Sequence, residues 1–361
     1  MASRVALVER LNLYRLELPL TVPYKLAFGP VTAFDTLLVE AQDDAGRIGL
    51  GEATLLTGYT DETVAGSWAL LQRLAAGLPG QSPAHCVEVA AAATAAAPFT
   101  ATALATAMEM LQDSPWLQVR EPARVPLLGV VNGSDAAALE VEIGQLLAQG
   151  FRTLKVKVGF DAPDDARRVR LIQQAVAGRC RLRIDANQGY DREQGCAFAA
   201  ALDPEGIELF EQPCAAGDWD GAQAVAAVSP VPMMLDESIY GLADIERAAA
   251  LGAARYIKLK LMKMGSLERL AQGIRRIREL GMEPVLGNGV AGEVGCWMEA
   301  CVARTLIANA GEMNGFLKPV ARVLAAPLRF EDGALALNAG CAPRLDAHAV
   351  AERTVARAEF H

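Results

Sequence analysis

The chain has 361 residues, of which 52% are hydrophobic, 21% charged and 6% aromatic. That supply of apolar side chains suffices for a large core and excludes wholesale disorder. A net charge of −9 excludes a general basic field drawing the protein to nucleic acid or anionic lipid, and leaves room for a local basic site that takes a small anion.

Met1–Asn12 carries Arg4, Glu9 and Arg10 and no continuous apolar run, so no secretory leader is expected and the cytoplasm is the expected location. Tyr14–Leu18 and Asp35–Ala41 read as antiparallel strands, the second followed by turn residues Asp43–Gly46. Val22–Gly29 and Thr57–Asp61, punctuated by Pro and Gly, read as lids whose Tyr24, Phe28 and Tyr59 line an apolar pocket; plain domain packing is the alternative. Val89–Met108 holds no charged residue, but it is mostly Ala and Thr with Pro98 in its middle. Alanine is too weakly hydrophobic to favour a membrane span, so a buried or interfacial helix pair is expected.

From residue 126 short apolar runs with polar ends recur: Pro126–Val130, Leu154–Val158, Leu182–Asp185, Ile207–Glu211, Pro232–Asp236, Tyr256–Lys260, Glu283–Gly287 and Thr305–Asn309. From Lys157 to Lys260 the polar ends are 28, 26, 25 and 24 residues apart, the length of one strand, one helix and two loops. Asp164–Ala177 and Ser266–Leu280 have helical apolar spacing, the second with Ser266 as N-cap. The fold class expected is α/β, a modified TIM (β/α) barrel over residues 126–325. An N-terminal α+β capping domain takes residues 1–125, and a C-terminal segment, 326–361, returns to it. A doubly wound sheet is the alternative, and eight even units favour closure. The alanine-rich helices suggest a homo-oligomer.

The seven cysteines include no CxxC, and His85, His348 and His361 sit in no metal-like spacing. Chemistry therefore falls to other side chains. Active sites of this barrel class collect at the carboxyl ends of strands, where three successive strands end in Asp185, Glu211 and Asp236. Their mutual repulsion calls for a cation, and all-oxygen ligands suit Mg²⁺ or Mn²⁺. Lysines bracket the acids, Lys155 and Lys157 on one strand face before them, Lys258 and Lys260 on another after. A neighbouring ammonium and a divalent cation both lower a lysine's pKa, so it can act as a base on the α-proton of a carboxylate substrate.

Together, Lys155-Val156-Lys157, Asp185-Ala186-Asn187-Gln188, Glu211-Gln212-Pro213, Asp236-Glu237-Ser238 and Lys260 to Gly265 resemble the enolase superfamily, in its muconate-lactonizing-enzyme subgroup. The resemblance spans the chain, with Gly51-Glu52-Ala53 in place in the cap. It implies Mg²⁺ on Asp185, Glu211 and Asp236, Lys157 and Lys260 as acid/base pair, and Lys155 tuning Lys157 and helping to hold the substrate carboxylate. Asn187, Glu237, Lys263 and Asn288 are the supporting or substrate-binding residues. The function implied is removal of an α-proton from a small carboxylate through a metal-stabilised enediolate, in a cycloisomerase or an amino-acid-derivative racemase or epimerase. A syn-dehydratase of the o-succinylbenzoate synthase type is the alternative.

Some positions depart from the branches of that family. The Asp-x-Asp of dipeptide epimerases is replaced by Glu312-Met313-Asn314, the seventh-strand Glu of cycloisomerases by Ala291, and Lys263 is kept where the N-acylamino-acid racemase branch lacks it. Gly287-Asn288-Gly289-Val290-Ala291-Gly292 also reads as G-x-G-x-x-G, a dinucleotide fingerprint. It follows six βα-like units rather than opening the fold, and an NAD-dependent dehydrogenase leaves the acid and lysine ladder unexplained. A non-catalytic binding protein on the same fold is a third reading.

Overall fold

The computed structural model describes residues 6–26, 29–56, 59–133, 135–340 and 342–361. β1 (Val8–Leu26), β2 (Gly29–Asp43) and β3 (Ile48–Leu55) form an antiparallel meander. The charge-free stretch behind it is two helices, Pro83–Ala93 and Pro98–Leu111, with Pro98 at the start of the second, where its missing N–H costs nothing. Pro98–Leu111 is buried along almost its whole length and lies against β3. Its small side chains let the backbones nearly touch: a Cβ on Gly49 would stand 2.1 Å from Ala107 O, and one on Gly51 2.0 Å from Ala103 O. No helix among the described residues is long and apolar enough to cross a membrane.

β4 (Ala123–Pro126) leads to the barrel: β5 (Gly129–Val131), β6 (Thr153–Lys157), β7 (Arg181–Asp185), β8 (Ile207–Glu211), β9 (Met233–Leu235), β10 (Tyr256–Leu259) and β11 (Glu283–Leu286), parallel and in sequence order. The helices between them bury one face, as Leu267, Leu270, Ile274 and Ile277 do in Leu267–Glu279, where Ser266 Oγ accepts from Arg269 N at 3.2 Å.

Two predicted strands differ. The first splits, because Pro126 ends β4 in another sheet and the barrel strand begins at Gly129. The eighth is not Thr305–Asn309, since the helix Glu293–Leu306 runs on to Leu306. Irregular chain around Gly311 closes the ring instead: Gly311 N donates to Pro126 O at 2.9 Å, Leu128 N to Gly311 O at 3.0 Å, and Glu312 N to Leu286 O at 3.1 Å. The approach is close, for a Cβ on Gly311 would lie 2.7 Å from Leu286 O.

β12 (Arg329–Glu331) and β13 (Ala334–Leu337) join β4 in a small antiparallel sheet. β14 (Thr354–Phe360) pairs antiparallel with β1, Leu11 opposite Phe360.

Candidate active site

Parallel register sets the site. Lys157 stands opposite Asp185, and Asp185 opposite Glu211, so the three share one row at the carboxyl end of the sheet. Asp236 follows β9 and Lys260 follows β10, while Lys155 and Lys258 lie two residues deeper.

Ammoniums join the carboxylates. Lys155 Nζ lies 2.7 Å from Asp185 Oδ2, 2.8 Å from Glu211 Oε2 and 2.5 Å from Glu312 Oε1. Lys258 Nζ lies 3.1 Å from Glu211 Oε1 and 3.6 Å from Asp236 Oδ2, and it also bonds Glu312. Lys157 Nζ donates to Asp185 Oδ2 at 2.6 Å and to Asn187 Oδ1. Lys260 Nζ donates to Asp236 Oδ2 at 2.7 Å and to Tyr59 Oη. Lys263 Nζ donates to Asp236 O at 2.7 Å, Asp236 Oδ1 at 3.1 Å and Ile239 O at 3.2 Å. The Lys157 side chain is 24% exposed against 3% for Lys155, so of this strand's two ammoniums only Lys157 opens toward the mouth.

Burial and neighbouring charge pull these groups apart. Burial alone would raise Asp185, but Lys155 and Lys157 overcome it and hold the carboxyl down at about 2. Asp236 is likewise buried, and Lys260 and Lys263 hold it well below the usual range. Glu211 goes the other way, pushed up to about 7 by burial and by the Asp185 charge. Burial brings Lys263 down to about 8 against the attraction of Asp236. Lys155 is buried too, yet Asp185, Glu211 and Glu312 keep it protonated well above its ordinary value.

Gln212 is the scaffold. Its Oε1 accepts from Asp236 N at 2.9 Å and Ser238 N at 3.2 Å, and its Nε2 donates to Ser238 Oγ at 2.8 Å and Cys214 O at 3.0 Å. It does so from a left-handed backbone (φ 36°), as Asn187 (φ 42°) and Gln188 (φ 67°) do after β7, and such strain persists only where surroundings enforce it.

Of the other predicted residues, Asn187 accepts from Lys157 through Oδ1 and donates through Nδ2 to Glu237 Oε1 at 3.1 Å. Asn288 Nδ2 donates to Met262 Sδ at 2.7 Å and its Oδ1 accepts from Val290 N at 3.1 Å, so its amide joins the Lys260–Gly265 segment rather than the carboxylates. Tyr59, expected as apolar lining, enters through its hydroxyl. Tyr24 lies in β1 opposite Val31, and Phe28 lies outside the described residues. Sequence reasoning missed Glu312 as a partner of both deep lysines, and missed the tie made by Gln212. The polar end of the closing segment was the available signal for Glu312, but it sits on irregular chain.

The donor set fits a hard divalent cation. Asp185, Glu211 and Asp236 offer only carboxylate oxygens, and beside them buried Glu237 Oε2 accepts no hydrogen bond. Among the described residues no three acids, histidines or cysteines already close around one point, since the ammoniums stand between the carboxylates.

Residues 138–343 match the family model described as enolase C-terminal domain-like. The chain is 31% identical over 320 residues to an aromatic dipeptide epimerase of Herpetosiphon aurantiacus, covering 85% of this chain and 87% of that one. It is 34% identical over 268 residues to an L-Lys-D/L-Arg epimerase of Methylococcus capsulatus, covering 69% and 73%. A dipeptide epimerase from Cytophaga hutchinsonii, solved with Mg and D-Ala-L-Val, superposes with a TM-score of 0.88 at 21% identity, over 98% of this chain and all of that one.

Proposed function

The chain belongs to the enolase superfamily, and from that premise we propose that it is an isomerase that removes and returns the α-proton of a small carboxylate substrate, as a racemase or epimerase of an amino-acid derivative. One observation carries the reading. Lys157 on β6 and Lys260 after β10 stand on opposite flanks of the acid cluster, each bonded to a different aspartate. Two amines so placed address opposite faces of one carbon, which is what inversion of a stereocentre requires.

In this reading Asp185, Glu211 and Asp236 hold a Mg²⁺ ion. Bound there, the ion supplies fixed positive charge beside the substrate carboxylate and offsets the charge that moves onto it as the α-proton leaves. The chain's own charges make that reaction feasible. Five lysines (155, 157, 258, 260, 263) face five acids (185, 211, 236, 237, 312). Formally the cluster is neutral, so two added positive charges favour a substrate carboxylate and one neutral lysine. Lys155 and Lys258, tied down in the deep layer, fix the carboxylates. Asn187 orients Lys157, and Lys263 fixes Asp236 at both its carbonyl and its carboxylate. We read residues 1–125 as the cap over this mouth, 126–325 as the barrel and 326–361 as the segment that completes the cap.

The test is α-proton exchange in D₂O, followed by NMR with Mg²⁺ present, across dipeptides, N-acyl amino acids and muconate. Exchange is expected with one class. Lys157→Ala and Lys260→Ala should each lower interconversion of the two isomers by about 10³-fold or more, and each should spare exchange of the one isomer that the other lysine serves. Full interconversion in both variants, or no exchange with any class, sinks the proposal.

A further inference from the structure

At the opposite, amino end of the barrel a cavity of about 980 Å³ opens between the starts of the strands and the turn joining β12 to β13. Its volume is that of a small-molecule site. Its lining runs against the charge of the whole molecule: Arg124, Arg152 and Arg181 face Glu208 and Asp332, on a chain whose net charge is −9.

The two acids are already engaged. Arg183, buried below, grips Glu208 through two bonds of 2.9 and 3.2 Å, and Asp332 lies 3.7 Å from Arg124. Arg152 and Arg181 are adjacent, with Arg181 N donating to Arg152 O at 3.0 Å. Among the described residues the Arg152 guanidinium bonds main-chain carbonyls alone, Leu147 O at 3.2 Å and Phe151 O at 3.0 Å. Among the described residues no hydrogen bond or ion pair ties down the Arg181 guanidinium. Both side chains line the cavity while its two acids are held by other arginines, so their charges are left to an entering anion.

The wall opposite them is fixed. A Cβ on Gly150 would stand 2.2 Å from the Asp332 carbonyl carbon, and one on Gly333 2.2 Å from Gly150 O, so the turn rests directly on the loop before β6. We propose that this cavity is a second binding site, for a small molecule bearing a phosphoryl group, with Arg152 and Arg181 as its anchors. A guanidinium pair matches the several acceptor oxygens and double charge of a phosphate monoester better than a single carboxylate.

Calorimetric titration of the intact protein with phenyl phosphate, inorganic phosphate and benzoate at low ionic strength tests this. Phenyl phosphate and inorganic phosphate should bind one to one, phenyl phosphate at least about tenfold tighter than benzoate. Combined Arg152→Ala and Arg181→Ala should weaken binding of both phosphates about tenfold or more, with Arg181→Lys recovering part of the loss. Both arginines are exposed, so the variants should keep the parent's melting temperature. The proposal is overturned by absence of saturable binding, by equal binding of benzoate, or by binding that the double variant leaves intact, which would put the phosphate on the lysines of the far mouth.

Discussion

Lys260 donates to the Tyr59 hydroxyl, which comes from the N-terminal domain, and Tyr59 Oη in turn stands 3.5 Å from Asp236 Oδ2. Tyr240 Oη donates to Tyr59 O at 2.6 Å and fixes the segment, while Lys260 Nζ lies 4.5 Å and Lys263 Nζ 5.4 Å from the Tyr59 ring centre. Tyr59 therefore steers the proposed base with both hydroxyl and ring. Tyr59→Phe keeps the ring and the cation–π contact but loses the directional bond. In the exchange assay kcat should fall about tenfold with KM little changed, because the lysine loses alignment rather than the substrate its binding. A rate equal to the parent's would show that the hydroxyl does not position Lys260.

At the scale of elements, the contact between β3 and the helix Pro98–Leu111 is set by two missing side chains, at Gly49 and Gly51. The atom that a Cβ on Gly51 would meet belongs to a helix backbone, which cannot swing aside. Gly51→Ala should therefore destabilise the protein by about 3 kcal/mol, read from urea unfolding midpoints; a change within experimental error would show that the helix can retreat. The same helix bonds the lysine segment, Thr102 Oγ1 donating to Met262 O at 3.2 Å, so displacing it also moves Lys260. The regular barrel strands were legible because each is a short apolar run with a polar end at even spacing, and the row of Lys157, Asp185 and Glu211 followed from their places at the ends of successive strands. β3 was not legible as a strand, because its glycines answer to a neighbour that local pattern does not reveal. The closing segment at Gly311 escaped for a related reason: its few hydrogen bonds are long-range. The bond of Asn288 to Met262 was not legible, since its loop's glycine spacing says nothing of which way the amide points.

Across the whole molecule, two buried glutamates of the N-terminal domain seat themselves on barrel helices. Glu52 accepts from Gly292 N at 2.5 Å and Val294 N at 2.9 Å, at the start of Glu293–Leu306. Glu109 accepts from Leu267 N at 2.8 Å and Glu268 N at 3.0 Å, at the start of Leu267–Glu279. Each satisfies amides that a helix start leaves unpaired. Burial outweighs those amides and pushes both carboxyls up to about 7 from an ordinary 4.5. Between those values the folded chain keeps a proton that the unfolded chain has released, so the stability these groups contribute falls as pH rises from 4.5 through 7. Glu109→Gln removes one such proton. Comparing unfolding free energies at about pH 5 and pH 8, the difference between variant and parent should move toward the variant by on the order of 3 kcal/mol; parallel pH profiles would refute the linkage.

The pairing of β14 with β1 also dictates an order of events during synthesis. The cap is begun by β1, ahead of the barrel, yet its sheet waits for Thr354–Phe360, after every barrel unit has emerged. Until then β1 presents an open edge from Leu11 to Leu16, a template for a neighbouring nascent chain. A chain cut short before β14 keeps every proposed catalytic residue and lacks the strand that guards that edge, so its failure would be aggregation rather than faulty chemistry.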